Sequence, residues 1–264
     1  NFFGTHVTKK TCLTYHACTT IPKSPPKIIV QAIRMYSFFL FFFFCYNFDM
    51  KEFLLGLLDW IYKKKCYFCK SSKECSKMCS ECFNELDYLA TMPNRITEGK
   101  KVYCAGVYSK NLQKLIRGLK YHKQRELAYY LAKFMFQYWL SITDDTDFQV
   151  VPVPIYYKRK KKRKYNHMEL VGTELCRLGG YRYNPELITR IKDTKPQYKL
   201  SKKERFNNLN NAFKVDKSKL QSGKILIIDD ICTTGSTFEE MIREFKKNGI
   251  EDIVCFAATT PFGD

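Results

Sequence analysis

The sequence predicts an α/β protein, a parallel β-sheet flanked by helices, with a small cysteine-rich module before it. Short apolar runs such as Val150–Ile155 and Ile225–Ile228 alternate along the chain with segments of helical periodicity. These runs lack polar alternation, which is typical of strands buried on both faces of a parallel sheet. Strands and helices that alternate in this way form right-handed crossovers. At 264 residues the chain can bury one such domain plus the module.

The N-terminal segment, residues 1–49, has to be interpreted separately. It shows no usable periodicity up to Arg34, and Met35–Phe48 is an aromatic run. This run is shorter than the roughly 20 apolar residues of a spanning helix, so we expect no firm membrane association, and a short hydrophobic anchor is an alternative. The interpretation we favour is that residues 1–49 are a non-native extension and that Met50 is the true start. We find no secretory signal peptide.

Two further domains are predicted, residues 50–90 and residues 101–264, joined by a linker around Thr91–Lys100. The first combines a helix over Met50–Tyr62 with the cysteine module. In the second, strands are predicted at Val102–Tyr108, Val150–Ile155, Ile225–Ile228 and Ile253–Ala258. Helices are predicted at Leu112–Tyr121, Arg125–Leu140, Asn166–Leu178 and Thr237–Asn248, the last two stopped by glycines. Lys192–Phe213 lacks clean periodicity and is predicted to be an irregular loop.

The charge balance is strongly basic. The chain carries 45 Lys and Arg against 26 Asp and Glu, a formal net charge of +19. Such an excess raises the local concentration of polyanions, nucleic acids among them. A general bias towards solvated lysines is an equally good explanation, so net charge alone does not identify a nucleic-acid partner.

The cysteines point to a metal. Cys66 and Cys69 form one Cys-x2-Cys pair, and Cys79 and Cys82 form a second. Two such turns complete a tetrahedral site for Zn²⁺, and four thiolates leave no open position, so the zinc would be structural and its binding would fold the module. Buried cysteines or a disulfide are the alternatives. Cys75, between the pairs, is a substitute ligand or a free thiol.

The most informative stretch is the strand Ile225–Ile228 with the residues that follow it. Two adjacent carboxylates, Asp229 and Asp230, come at its carboxyl end, where open α/β sheets bind ligands. A loop of small hydroxylated residues then leads into a helix; it consists of Thr233, Thr234, Gly235, Ser236 and Thr237. Amides and hydroxyls at a helix N-terminus favour a phosphate. Carboxylates beside a phosphate make sense if they bind the hydroxyls of a phosphorylated sugar.

This constellation resembles the phosphoribosyl-pyrophosphate (PRPP) loop of type I phosphoribosyltransferases. The resemblance implies that Asp229 and Asp230 bind the ribose hydroxyls and that the residues from Thr233 to Thr237 bind the 5′-phosphate. The cationic run Lys158–Lys164 is predicted to be an exposed loop, since its charges repel each other. It could close on a departing pyrophosphate, contact another polyanion or simply be solvated.

From Met50 onwards the chain is similar to the ComF family of bacterial late competence proteins, a zinc ribbon joined to a phosphoribosyltransferase domain. The matching residues are the four paired cysteines, Leu119-Lys120-Tyr121, Val151–Pro154, Arg163 with Asn166, Thr194–Gln197, Leu200, Glu204-Arg205 with Asn208, Ala212-Phe213 and the PRPP loop. Some positions depart from the expected pattern: Lys164 and Asn211 replace glycines, His167 replaces a glutamine, and Cys232 replaces the usual aliphatic residue of the PRPP loop. Losing a loop glycine restricts the backbone.

The resemblance implies two functions. As an enzyme, the protein would bind PRPP with Mg²⁺ and stabilise departing pyrophosphate with Arg163 and its cationic neighbours, a pentosyl transfer. As a competence factor it would act in the cytoplasm on incoming single-stranded DNA, beside a helicase-like ATPase partner. A phosphoribosyltransferase of nucleotide metabolism, a non-catalytic single-stranded DNA-binding module and a fold with a degenerate site are the alternatives. We favour a competence protein with an intact phosphoribosyl site.

Overall fold

The computed structural model describes residues 65–74, 76–193 and 211–261. These residues lie in one compact unit, residues 62–264, and the chain's other unit, residues 1–61, is outside the described part. Four predictions therefore concern residues outside the described ranges. They are the aromatic run, the start at Met50, the helix Met50–Tyr62 and the role of Cys75.

Helices and strands alternate as expected, and the α/β prediction is confirmed. The helices are α1 (Ser80–Asn84), α2 (Lys110–Tyr121), α3 (Leu127–Leu140), α4 (Tyr157–Arg163), α5 (His167–Gly179) and α6 (Ser236–Lys247). The strands are β1 (Arg95–Thr97), β2 (Lys100–Val107), β3 (Phe148–Pro152), β4 (Arg182–Tyr183), β5 (Ile188–Arg190), β6 (Phe213–Val215), β7 (Lys224–Ile231) and β8 (Ile253–Thr260). A short 3₁₀ helix covers Lys217–Lys219.

The main sheet has six strands in the order β1-β2-β8-β7-β3-β4. From β2 to β4 all neighbouring strands are parallel, and β1 pairs antiparallel with β2 at one edge. β5 and β6 form a separate antiparallel pair. The long central strands β7 and β8 are largely apolar, because side chains on both of their faces are buried in the two cores.

Alternation along β7 directs its side chains into two cores. Leu226 and Ile228 belong to the core that contains residues of α2, α3, α5 and the cysteine module. Ile225 and Ile227 belong to the core on the other face, with residues of α6, β5 and β6. Because successive side chains of a strand point to opposite faces, Asp229 and Asp230 at the end of β7 continue onto different sides of the sheet.

Two local predictions were wrong. The expected linker contains β1, which forms a hairpin with β2 through Glu98 and Gly99, both at positive φ (49° and 74°). A two-residue turn of this type suits the strand twist, but Glu-Gly is a weaker hairpin signal than Asn-Gly or Asp-Gly. The cationic run is the helix α4 and not a loop. Lys and Arg are good helix formers, and Lys160 forms an ion pair with Glu169 of α5.

The predicted irregular loop Lys192–Phe213 lies mostly outside the described residues, and its last residue begins β6. Among the described helices, none combines the length and the hydropathy that crossing a membrane requires.

Candidate ligand site and metal centre

The four paired cysteines come together as their spacing predicts. The Sγ atoms of Cys66, Cys69, Cys79 and Cys82 all lie within 4.8 Å of one another. Those of Cys69 and Cys79 are 3.6 Å apart, well beyond the roughly 2.05 Å of a disulfide. The sequence folds this way because the first pair spans a turn, whereas in the second pair Cys79 is the N-cap of α1 and Cys82 lies in that helix. The cluster could hold a structural metal ion such as zinc.

Hydrogen bonds at Cys66 favour the thiolate that a metal needs. Its Sγ accepts the amide N–H groups of Phe68 and Cys79, both at 3.4 Å. Burial raises the pKa of Cys66, but these amide bonds outweigh burial and lower the pKa to about 6. Burial and the neighbouring thiols instead raise the pKa of Cys82. Four thiolates at this distance repel each other, so full ionisation requires a cation between them.

The cysteine module packs against α2. The Tyr67 hydroxyl lies 2.6 Å from Nδ1 of His122, just beyond the end of α2, and Lys114 donates from Nζ to the carbonyl oxygen of Phe68 at 3.0 Å. Phe68, Met78 and the buried cysteines belong to the same core as the α2 leucines. The fold of the module therefore supports the helix that carries Lys120.

The predicted phosphate loop lies between β7 and α6. Gly235 has φ 79°, a left-handed conformation that glycine adopts without strain. The Ser236 amide donates to Oγ1 of Thr234 at 3.4 Å, and the two hydroxyl oxygens are 3.0 Å apart. Within the described part of the chain, the amides of Thr234 and Gly235 have no acceptor. They are thus available to an anion at the N-terminus of α6.

Arg95 and Thr97 of β1 lie over this loop and were missed by the sequence analysis. A Cβ placed on Gly235 would be 3.2 Å from Cδ of Arg95 and 3.2 Å from Oγ1 of Thr97. A cation and a hydroxyl at this distance suit a phosphate. Sequence analysis did not find them because they lie in the segment that was predicted to be a linker.

The two carboxylates are not equivalent. Asp229 is half-buried and accepts the amide N–H of Asp230 at 2.9 Å, whereas the Asp230 side chain is only 7% exposed. Oδ2 of Asp230 forms an ion pair with Lys120 and lies 2.6 Å from Nε2 of His167. Burial would raise the pKa of Asp230, but Lys120 and His167 hold it well below its usual range. Burial and the charge of Asp230 raise the pKa of Asp229.

Arg163 reaches the acids only through another side chain. Its Nη1 is 3.4 Å from Nδ1 of His167, whose ring then contacts Asp230. On the other face of β7, burial and the charge of Arg159 lower the pKa of Arg190 to about 10, and Asp229 opposes this shift. Arg159 and Arg163 of α4 thus each act on a side chain that interacts with one of the two acids.

The glycine replacements keep the glycine conformation. Lys164, at the end of α4, has φ 70°, and Asn211 has φ 54°. Asn tolerates this region, whereas for Lys it costs about 1–2 kcal/mol. His167 stands where the family pattern has a glutamine, and its Nε2, 2.6 Å from Oδ2 of Asp230, can donate a hydrogen bond as an amide N–H does. The departures from the family pattern thus leave the local backbone intact.

Comparisons with known proteins agree with the resemblance noted above. No protein-family model matches the chain. It is 29% identical over 201 residues to Competence protein F of Haemophilus influenzae, covering 71% of this chain and 86% of that protein. It is 32% identical over 146 residues to DNA utilization protein YhgH of Salmonella typhimurium and of Escherichia coli K12, covering 54% of this chain and 64% of each relative. The chain is a homologue of these proteins.

Proposed function

We propose that this homologue of Competence protein F binds PRPP or a related 5-phosphoribosyl ligand and serves the uptake or use of DNA. The observation that supports this ligand is the arrangement at the end of β7. There Asp229 and Asp230 precede the Thr233–Thr237 loop and the N-terminus of α6. The loop amides, with Arg95 beside them, suit a 5′-phosphate. The carboxylates suit ribose hydroxyls, since an ionised carboxylate only accepts hydrogen bonds.

If the protein is a transferase, the nucleophilic atom of an acceptor forms a bond to the anomeric carbon with its own electron pair, and the bond from that carbon to pyrophosphate breaks, so that pyrophosphate leaves with the other pair. Mg²⁺ bound with PRPP would offset the charge of the pyrophosphate. Arg163 of α4 contacts His167 beside Asp230, and Arg190 interacts electrostatically with Asp229, so these cations would stabilise the leaving group electrostatically.

Calorimetry with PRPP and Mg²⁺ tests the ligand. We expect wild-type protein to bind, and Asp229→Asn to bind roughly 10-fold to 150-fold more weakly, because a charged acceptor contributes about 1.5–3 kcal/mol. Asp229 is the better target because Asp230 also holds a buried ion pair. Asp252→Asn, an exposed acid just before the amino end of β8, is the control and should bind like wild type. Absence of binding by the wild type would contradict the proposal.

The names of the relatives and the charge support the DNA role. The relatives are named Competence protein F and DNA utilization protein YhgH. This chain carries a net charge of +19. The helix α4 carries exposed cations, and its first residue, Tyr157, is 60% exposed. Charge and aromatic stacking together suit single-stranded nucleic acid.

Fluorescence anisotropy with a labelled single strand, measured over a range of salt concentrations, tests this role. Because each neutralised phosphate releases counterions, Lys161→Gln/Lys162→Gln should reduce the slope of log affinity against log salt by about 1.4. Lys217→Gln/Lys219→Gln removes the same charge from the segment before the amino end of β7 and should leave the slope unchanged. Equal slopes for the two double variants would exclude α4 as the DNA contact.

A further inference from the structure

Three side chains from distant parts of the chain meet at one oxygen atom. Lys120 of α2 and His167 of α5 both contact Oδ2 of Asp230. The side chains of Lys120, His167 and Asp230 are 16%, 4% and 7% exposed, so this is a buried polar cluster and not a surface ion pair. A buried ion pair of this kind does little for stability compared with apolar packing, which suggests that it is kept for another reason.

The hydrogen bonds define the protonation state of His167. Arg163 can only donate, so its Nη1 at 3.4 Å makes Nδ1 of His167 an acceptor. The ring proton is then on Nε2 and is donated to Asp230 at 2.6 Å. Burial lowers the pKa of His167, which agrees with a neutral ring. The cluster therefore combines one ammonium, one carboxylate and one neutral imidazole.

Lys120 and His167 both contact the same carboxylate oxygen of Asp230. Lys120 and His167 occupy Oδ2 of Asp230, while Oδ1 accepts no hydrogen bond within the described residues. The main chain around Asp230 is also held, because Thr259 donates from Oγ1 to its carbonyl oxygen at 2.9 Å. The orientation of Asp230 is thus fixed from three sides, with Oδ1 as the remaining acceptor.

We propose that Lys120 and His167 are positioning residues of the phosphoribosyl site, which keep Asp230 ionised and present its Oδ1 to a ribose hydroxyl. This inference rests on the proposed function. The Lys120 ammonium also opposes the effect of Asp230 on the pKa of Asp229, because a nearby cation favours the ionised form of a carboxyl group. An anionic ligand can then approach a site whose acids are already partly neutralised.

The charged and titratable groups that face Asp230 are Asp229 on its own strand, Lys120 on α2 and His167 on α5, with Arg163 of α4 behind the imidazole. In the wild type the carboxylate is held ionised, so ligand affinity should not fall through protonation of Asp230 as the pH drops from 7.5 to 5.5. Without Lys120 the pKa of Asp230 rises, and protonation at acidic pH removes the charge that the ligand needs.

The test is calorimetry with PRPP and Mg²⁺ from pH 5.5 to pH 7.5 on wild type and Lys120→Met. The variant should bind more weakly at every pH, and its affinity should fall further from pH 7.5 to pH 5.5 as Asp230 is protonated, a loss that the wild type should not show. Lys110→Met, an exposed residue at the start of α2, should show the wild-type profile. For His167, the glutamine variant should retain the affinity, because its amide donates as Nε2 does, whereas His167→Leu should not.

The outcomes separate the two claims. Wild-type protein that binds no PRPP overturns the proposed function and this inference with it. Wild-type protein that binds, together with a Lys120→Met variant of the same affinity and pH profile, overturns the inference alone. A ligand-free control is a double-mutant cycle of Lys120→Met and Asp230→Asn in urea unfolding. Additive effects there would mean that the two residues are not coupled, which also overturns the inference.

Discussion

Removal of the metal should unfold the cysteine module and lower the melting temperature of the whole protein by roughly 6–12 °C. The cluster of Cys66, Cys69, Cys79 and Cys82 shares a core with α2 and α3, so its loss exposes apolar surface beyond the module itself. We expect a cost of about 3 kcal/mol, within the range for removing a structural cross-link. For a domain of this size about 1 kcal/mol corresponds to about 2–4 °C.

Differential scanning calorimetry with and without a chelator measures this change, and elemental analysis measures the metal. Cys79→Ser should lower the melting temperature as chelation does and should remove zinc from the purified protein. Cys176→Ser changes a buried free cysteine on α5, outside the cluster, and should retain the metal. Wild-type protein that contains no metal and melts at the same temperature with and without chelator would show that the cluster holds none.

The second large effect is expected at Gly235. An alanine there would have to adopt φ 79° and would bring its Cβ to 3.2 Å from both Arg95 and Thr97. The left-handed conformation costs about 1–2 kcal/mol, and relieving the contact moves the loop whose amides are proposed to bind the 5′-phosphate. Displacing two charge-assisted donors, each contributing about 1.5–3 kcal/mol, should weaken PRPP binding by roughly 100-fold or more.

Gly249→Ala is the matched control for this substitution. Gly249, just after α6, has φ 75°, and a Cβ there meets nothing within 4 Å. Both variants should therefore lose similar stability in urea unfolding, but only Gly235→Ala should lose the ligand. If the two variants bound PRPP equally well, the loop between β7 and α6 would not be the phosphate site.

Local patterns predicted most of the fold. The apolar runs before Asp229 and around Val150 and Val254 are strands of the central sheet, because buried parallel strands are continuously apolar. Gly180 ends α5 in a left-handed conformation, as the Gly-Gly pair indicated. Errors arose where the local signal was weak or misleading. The Glu-Gly hairpin was taken for a linker, and the repulsion among cations was given more weight than their helix propensity.

By itself, the sequence determined the α/β class, the four-cysteine cluster and the acid-and-loop motif at the end of β7, because each depends on residues close together in the chain. Only the tertiary structure decided which groups face Asp230. His167 is 63 positions away from it, and Lys120 lies on yet another helix. Such contacts depend on how helices cross the sheet, and no local pattern encodes that. The structure also separated the two neighbouring acids, since the strand's alternation directs Asp229 and Asp230 to opposite faces.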